Sequence, residues 1–170
     1  DAPILPREDS RWEQLGSELD RSVSLRDHFR GALIGGGIGD AMGRPNEGLW
    51  PSEARGHQVR DYQAWHGWRR GPRGTITDDT QMTMWLAESI LAASRRAEDE
   101  GSVDVWDHLL DPDDLAQRFT REHIRGIGQA VREFVHNYKD LGNSWYEAGV
   151  RSAGNGTAMR AAPVGLVHLE

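Results

Sequence analysis

The sequence predicts an all-α protein, and three observations lead there. No segment of useful length alternates apolar and polar residues with the period of two that a half-buried strand requires. Apolar residues instead recur three and four positions apart in several stretches. Those stretches are bracketed by helix signals: Ser, Thr or Asp before them, Pro in a first turn, Gly after a last one.

Taken in order, residues 1–10 are polar and read as a mobile end. The segment 1–22 is expected to be a mobile lead-in and the folded part to occupy 23–170. A first helix is expected from about Ser24 to Met42, with Ser24 as N-cap and Phe29, Leu33, Ile34 and Ile38 at helical spacing. Its second half is rich in Gly31, Ala32, Gly35, Gly36, Gly37 and Gly39. Glycine costs up to about 1 kcal/mol per helical position relative to alanine, so this helix is expected to be buried and closely crossed by neighbours. Residues 43–76, punctuated by Gly and Pro, read as one long loop. It holds Arg55, Arg60, Arg69, Arg70 and Arg73 against Glu47, Glu53 and Asp61. The choice there is between a solvated loop and a lid that screens phosphates.

The strongest helix is expected over about Asp78 to Glu98, with Met82, Trp85, Leu86, Ser89, Ile90 and Ala93 along one face. Asp111-Pro112-Asp113-Asp114 marks a helix start, with Pro at the first position and acids in the first turn. That helix is expected to reach His123, and another to span Ile127 to Leu141 and stop at Gly142. Ser144 is read as the cap of a short helix toward Val150. A last helix is expected from near Gly156, interrupted or kinked by Pro163.

Composition narrows the function classes. The 170 residues hold 20 Lys+Arg and 27 Asp+Glu, a formal net charge of −7, which disfavours generic phosphate-driven nucleic-acid binding. The chain has no cysteine, which excludes disulfides, thiolate zinc sites and Cys nucleophiles. No run approaches the roughly 18 apolar residues of a membrane span, and the first residues lack the layout of a signal peptide. The expectation is a cytoplasmic protein with no membrane partner.

Three clusters carry chemistry-bearing residues. In Gly39-Asp40-Ala41-Met42-Gly43, continuing to Glu47, Asp40 is a carboxylate near a helix C-terminus, where the macrodipole disfavours it. Another group should satisfy it. In Thr77-Asp78-Asp79-Thr80, one reading is an N-cap followed by two acids that suit the dipole. The other is a hard-cation site, since a hydroxyl and two adjacent carboxylates offer oxygen ligands to Mg²⁺ or Mn²⁺. In Ser152-Ala153-Gly154-Asn155-Gly156 through Arg160, a small-residue loop that opens a helix presents backbone N–H groups to an anion such as phosphate.

Together these clusters resemble the ADP-ribosylglycohydrolase family, with its GALxGxxxGDAxGxPxE-type first helix, TDDTxM helix start and GNGxxMRxxP loop. Here they run from Gly31-Ala32-Leu33 to Glu47, from Thr77 to Met82, and from Gly154 to Pro163. Arg125-Gly126-Ile127-Gly128 resembles a family loop that lies over the substrate. The resemblance implies an all-α bundle around two Mg²⁺ ions, Mn²⁺ in some members, that cleaves the glycosidic bond between ADP-ribose and a protein side chain or other acceptor. It implies Thr77, Asp78 and Asp79 as metal ligands and Glu47, Asp78 and Asp79 as catalytic residues. It implies Ser152, Gly154, Asn155, Gly156 and Gly126 as substrate-binding, and Asp40 and Arg160 as supporting residues. The partners implied are an ADP-ribosylated protein or an ADP-ribose-containing small molecule. Family members are longer, and their later part carries an Asp-x-Asp-Thr element that this sequence does not contain. The chain is therefore expected to be the N-terminal part of such a domain, inactive without the C-terminal part. The alternative is a non-catalytic ADP-ribose-binding or crystallin-like structural relative.

Overall fold

The computed structural model describes residues 24–56, 60–63, 71–101 and 109–167. The lead-in 1–22, Arg69, Arg70 and residues 102–108 lie outside the described residues. The described chain is helical, as the patterning predicts, and among the described residues no helix is long and apolar enough to cross a membrane.

Helix α1 spans Leu25–Gly43, and the Ser24 hydroxyl accepts the Asp27 amide at 3.2 Å, as an N-cap should. A 3-10 turn, Arg44–Asn46, comes directly after it. A short helix α2, Pro51–Gly56, then breaks up what the sequence reads as continuous loop. Its signal was present: Pro51 stands at the first position, and the Glu53 carboxylate accepts the Trp50 amide at 2.8 Å, half of a capping box. Helix α3, Asp78–Asp99, starts at Thr77, whose hydroxyl accepts the Asp79 amide. Helix α4 is Pro112–Arg121, capped by Asp111, which accepts the Asp114 amide at 3.0 Å. Helix α5, Gln129–Val135, widens into a π-helical turn, His136–Asp140, and the chain leaves through Gly142 at φ +74°.

Two expectations fail at the level of local structure. Ser144 does pair with Glu147, its amide at 3.3 Å and its hydroxyl at 2.5 Å from the carboxylate, but only a turn results and no helix forms. The segment after Gly156 is not one kinked helix. It is a 3-10 turn, Ala158–Arg160, and then helix α6, Ala162–Val167, with Pro163 in the first turn, where a missing N–H costs nothing.

Helix α3 is the hub, in contact with α1, α4, α6 and the Ala158–Arg160 turn. Its expected face is the core: Met82 packs with Phe119 and Ile124, and Leu86 and Ile90 pack with Leu109. Trp85 and Phe134 flank Phe119 with ring centroids 6.0 Å and 6.2 Å away, within the range where aromatic pairs attract. Charge reinforces the α3–α4 contact: Arg118 meets Asp114 at 2.7 Å on its own helix and Glu88 of α3 at 2.8 Å. Burial alone would raise the Asp114 carboxyl. The hydrogen bond from Arg118, with the charges of Arg118 and Arg121, outweighs it and holds the group below its ordinary value.

The glycine-rich helix departs from expectation. Only Ala41 of α1 is buried, and Ile34 and Ile38 stay 59% and 43% exposed. A methyl group built on Gly31, Gly35, Gly36 or Gly39 would meet nothing within 4 Å, whereas one on Gly37 would touch the Thr80 methyl at 3.5 Å. The reason is the crossing: α3 reaches α1 only over its C-terminal turns.

Phe119→Ala, which removes the ring that α3, α4 and α5 share, is expected to cost about 3–5 kcal/mol in chemical denaturation. Asp114, held below its ordinary value of 3.8, contributes stability that is present above that pH and lost as pH falls through the folded value. Asp114→Asn is therefore expected to lower the Tm at neutral pH, and the gap to wild type to narrow on acidification below about pH 4.

Candidate active site

The site is built on the N-terminus of α3, and Asp40 builds it. The Asp40 carboxylate accepts the Thr77 amide at 2.8 Å, the Thr80 amide at 3.3 Å, and the hydroxyls of Thr77 and Thr80 at 2.7 Å and 2.6 Å. It thus satisfies two backbone donors that a helix start otherwise leaves open. The acid that was misplaced at the C-terminus of α1 is well placed against the N-terminus of α3.

Thr77 is fully buried, and its hydroxyl stands within donating distance of two carboxylates, Asp40 at 2.7 Å and Asp79 at 3.0 Å, with one proton to share between them. Next to it, Asp78 is half-buried, and its carboxyl lies above the ordinary range. Burial is the main cause, with the charges of Asp79 and Asp40 adding to it; a backbone hydrogen bond and the Arg44 guanidinium oppose the shift.

Arg44 is only 5% exposed and pairs with Glu47 three residues on. The 125–128 loop closes over Arg44 and Asp78. A methyl group on Gly126 would come within 3.1 Å of Asp78 Oδ1 and 3.5 Å of both terminal nitrogens of Arg44, and its backbone sits at φ +75°. Glycine is required there for both reasons. The Gln81 side chain fixes the loop: its amide nitrogen donates to the His123 carbonyl at 3.2 Å, and its oxygen accepts the Arg125 amide at 2.8 Å.

A cleft of about 560 Å³ runs from Asp78 across α4 and α5 to the 152–157 loop. Asp78, Ser152, Gly154, Asn155, Gly156 and Arg160 all line it, so one acid of the second cluster and the loop of the third meet in one cavity. Thr77, Asp79, Asp40, Glu47 and Gly126 do not line it. They stand behind or beside Asp78.

The helix expected behind the 152–156 loop is shorter than the sequence suggests. The loop leads into a three-residue 3-10 turn, too short for an appreciable macrodipole. The Gly154 amide is already donated to the Ser152 hydroxyl at 3.0 Å. Several functional neighbours carried no sequence signal. Arg44 and Gln81 are charged or polar residues within ordinary-looking segments, and Trp145 enters the cleft from a turn. Phe119 and Phe134 were legible only as helical apolar positions.

The donor set fits a hard divalent cation in kind. Thr77, Asp78 and Asp79 all offer oxygen ligands. It falls short in number: among the described residues no three His, Asp or Glu side chains converge to hold a metal ion. Glu47 is engaged with Arg44 instead.

This chain belongs to the ADP-ribosylglycohydrolase family, whose model matches residues 21–170. It is similar to an uncharacterized protein of Archaeoglobus fulgidus, 33% identical over 155 residues that cover 85% of this chain and 44% of the relative. ADP-ribosyl-[dinitrogen reductase] glycohydrolase of Rhodospirillum rubrum is 29% identical over 150 residues, 86% of this chain and 46% of that protein. ADP-ribosylhydrolase ARH3 of Xenopus tropicalis is 31% identical over 156 residues, 82% of this chain and 39% of that protein. The chain spans less than half the length of these relatives.

Asp40→Asn leaves one oxygen to do the work of two and is expected to destabilise by about 1–3 kcal/mol. Gly126→Ala is expected to cost about 1–2 kcal/mol from its left-handed backbone. Denaturant midpoints check both, and a midpoint unchanged by Gly126→Ala would contradict the close approach to Asp78.

Proposed function

We propose that the intact protein hydrolyses the glycosidic bond between ADP-ribose and a protein side chain or another acceptor. The observation that carries this reading is the cleft that joins Asp78 to the 152–157 loop in a chain of this family. The names of two relatives support it, since both describe removal of ADP-ribose. Cleavage of such a bond passes through an oxocarbenium-like state at the ribose carbon, which carboxylates stabilise while a carboxyl or carboxylate moves the proton.

In this reading Asp78 faces the ribose from one end of the cleft. Asp79 and Thr77 hold their oxygens behind it, and Asp40 fixes all three by anchoring the helix that bears them. Ser152, Asn155 and Gly156 line the opposite wall, where the remainder of ADP-ribose extends. The proposal includes a divalent cation, Mg²⁺ or Mn²⁺, held by Thr77, Asp78 and Asp79, with two ions in the complete site. Such an ion would supply Lewis-acid stabilisation of charge at the ribose. Glu47, released from Arg44, is the further carboxylate within the same neighbourhood. A cytoplasmic location belongs to the proposal as well.

The test is direct. Incubated with ADP-ribosylated protein and Mg²⁺, the intact wild-type protein should release free ADP-ribose, monitored by chromatography. Asp78→Asn combined with Asp79→Asn should lower that rate by about 10²-fold or more. Absence of release by wild type, or a double variant that matches it, overturns the reading.

A further inference from the structure

Gln81 follows Asp78 by three residues on α3, so the two side chains share a face of the helix. Its amide reaches the segment after α4 and meets backbone on both sides of one residue, Ile124. The side-chain nitrogen donates to the His123 carbonyl at 3.2 Å, and the side-chain oxygen accepts the Arg125 amide at 2.8 Å. Ile124 itself is buried against Met82, the residue after Gln81. One short stretch of α3 thus grips residues 123–125 by two hydrogen bonds and by apolar packing.

The gripped segment leads straight onto the site. The next residue is Gly126, at φ +75°, whose backbone lies so close to Asp78 that a methyl group on it would stand 3.1 Å from Asp78 Oδ1. Beyond it, the Arg132 guanidinium donates to the Ile127 carbonyl at 3.3 Å and ties the far side of the turn to α5. The turn is therefore held before and after the residue that covers Asp78. Both Gln81 hydrogen bonds are open to solvent, where such bonds add little to stability. What they set is position, and a displacement of about 1 Å near a reacting group can cost about 10²-fold in rate.

We infer that Gln81 is a positioning residue, which holds the 123–126 turn against Asp78 and so fixes where the Asp78 carboxyl stands at its end of the cleft. Its effect on a reaction rests on the function proposed above; its hold on the turn does not.

Hydrogen exchange and kinetics on the intact protein test the two separately. Methionine matches the length of glutamine and lacks its amide. In Gln81→Met, exchange of the backbone amides over 124–127 should rise about 5- to 10-fold, the size of a lost hydrogen bond, while amides in the middle of α3 keep their wild-type rates. With ADP-ribosylated protein as substrate, kcat should fall about 10-fold or more and KM stay within about twofold, since the change displaces a reacting group and leaves the 152–157 wall alone. Calorimetric titration with ADP-ribose should keep the wild-type stoichiometry. Gly126→Ala disturbs the same approach to Asp78, so the double variant should lose less than the product of the two single losses. Unchanged exchange over the turn, or an unchanged kcat in an active enzyme, overturns the inference. A kcat loss matched by lost stoichiometry, or one that multiplies with that of Gly126→Ala, marks a merely structural role and overturns it too. Should Gln81→Met fail to fold, Gln81→Asn decides by the same readouts, because its amide is one methylene too short to reach both backbone groups. Wild type that releases no ADP-ribose removes the proposed reaction, and the exchange comparison then decides the inference alone.

Discussion

Everything about the site depends on one carboxylate. Asp40 is placed on α1, yet its work is done on α3, where it takes up two backbone amides and two hydroxyls at the first turn. The contact joins residues 37 and 40 positions apart. It fixes the start of the helix that carries Thr77, Asp78 and Asp79, and through α3 it is coupled to the core at Met82, Leu86 and Ile90. A helix N-terminus anchored from outside in this way cannot fray, and its first two acids are held without being consumed as caps.

The cleft is electrically two-ended. At one end several carboxylates crowd together: burial and two neighbouring charges raise Asp78, while Arg44 moderates them and engages Glu47. At the other end stands Arg160, set among Phe119 and Met82. A net charge of −7 is no obstacle to an anionic ligand when the local field has this shape, because binding responds to the few charges inside a low-dielectric cavity more than to the sum over the surface.

What could be read in advance divides along physical lines. Helices α1, α3 and α4 were legible because their caps are local: Ser24, Thr77 and Asp111 each bond an amide two or three residues ahead. The buried face of α3 was legible because its periodicity is strong. Ser144 shows the limit, since its capping contact with Glu147 forms and no helix grows from it without an apolar face to bury. The burial of α1 was misjudged because glycine content reports a permission, not a neighbour. The role of Asp40 was legible only as a puzzle. Its partners are far away in sequence, as is the meeting of Arg44 with Asp78 beneath Gly126.

The Asp40–Thr77 contact has a consequence for how such a protein can change. It closes the chain between residues 40 and 77 into a loop whose ends are pinned at the site itself. Closing a loop costs only about 0.6 kcal/mol for each doubling of its length. Beyond Arg44 and Glu47, the enclosed stretch can therefore change in length at little cost while Thr77, Asp78 and Asp79 stay where they are.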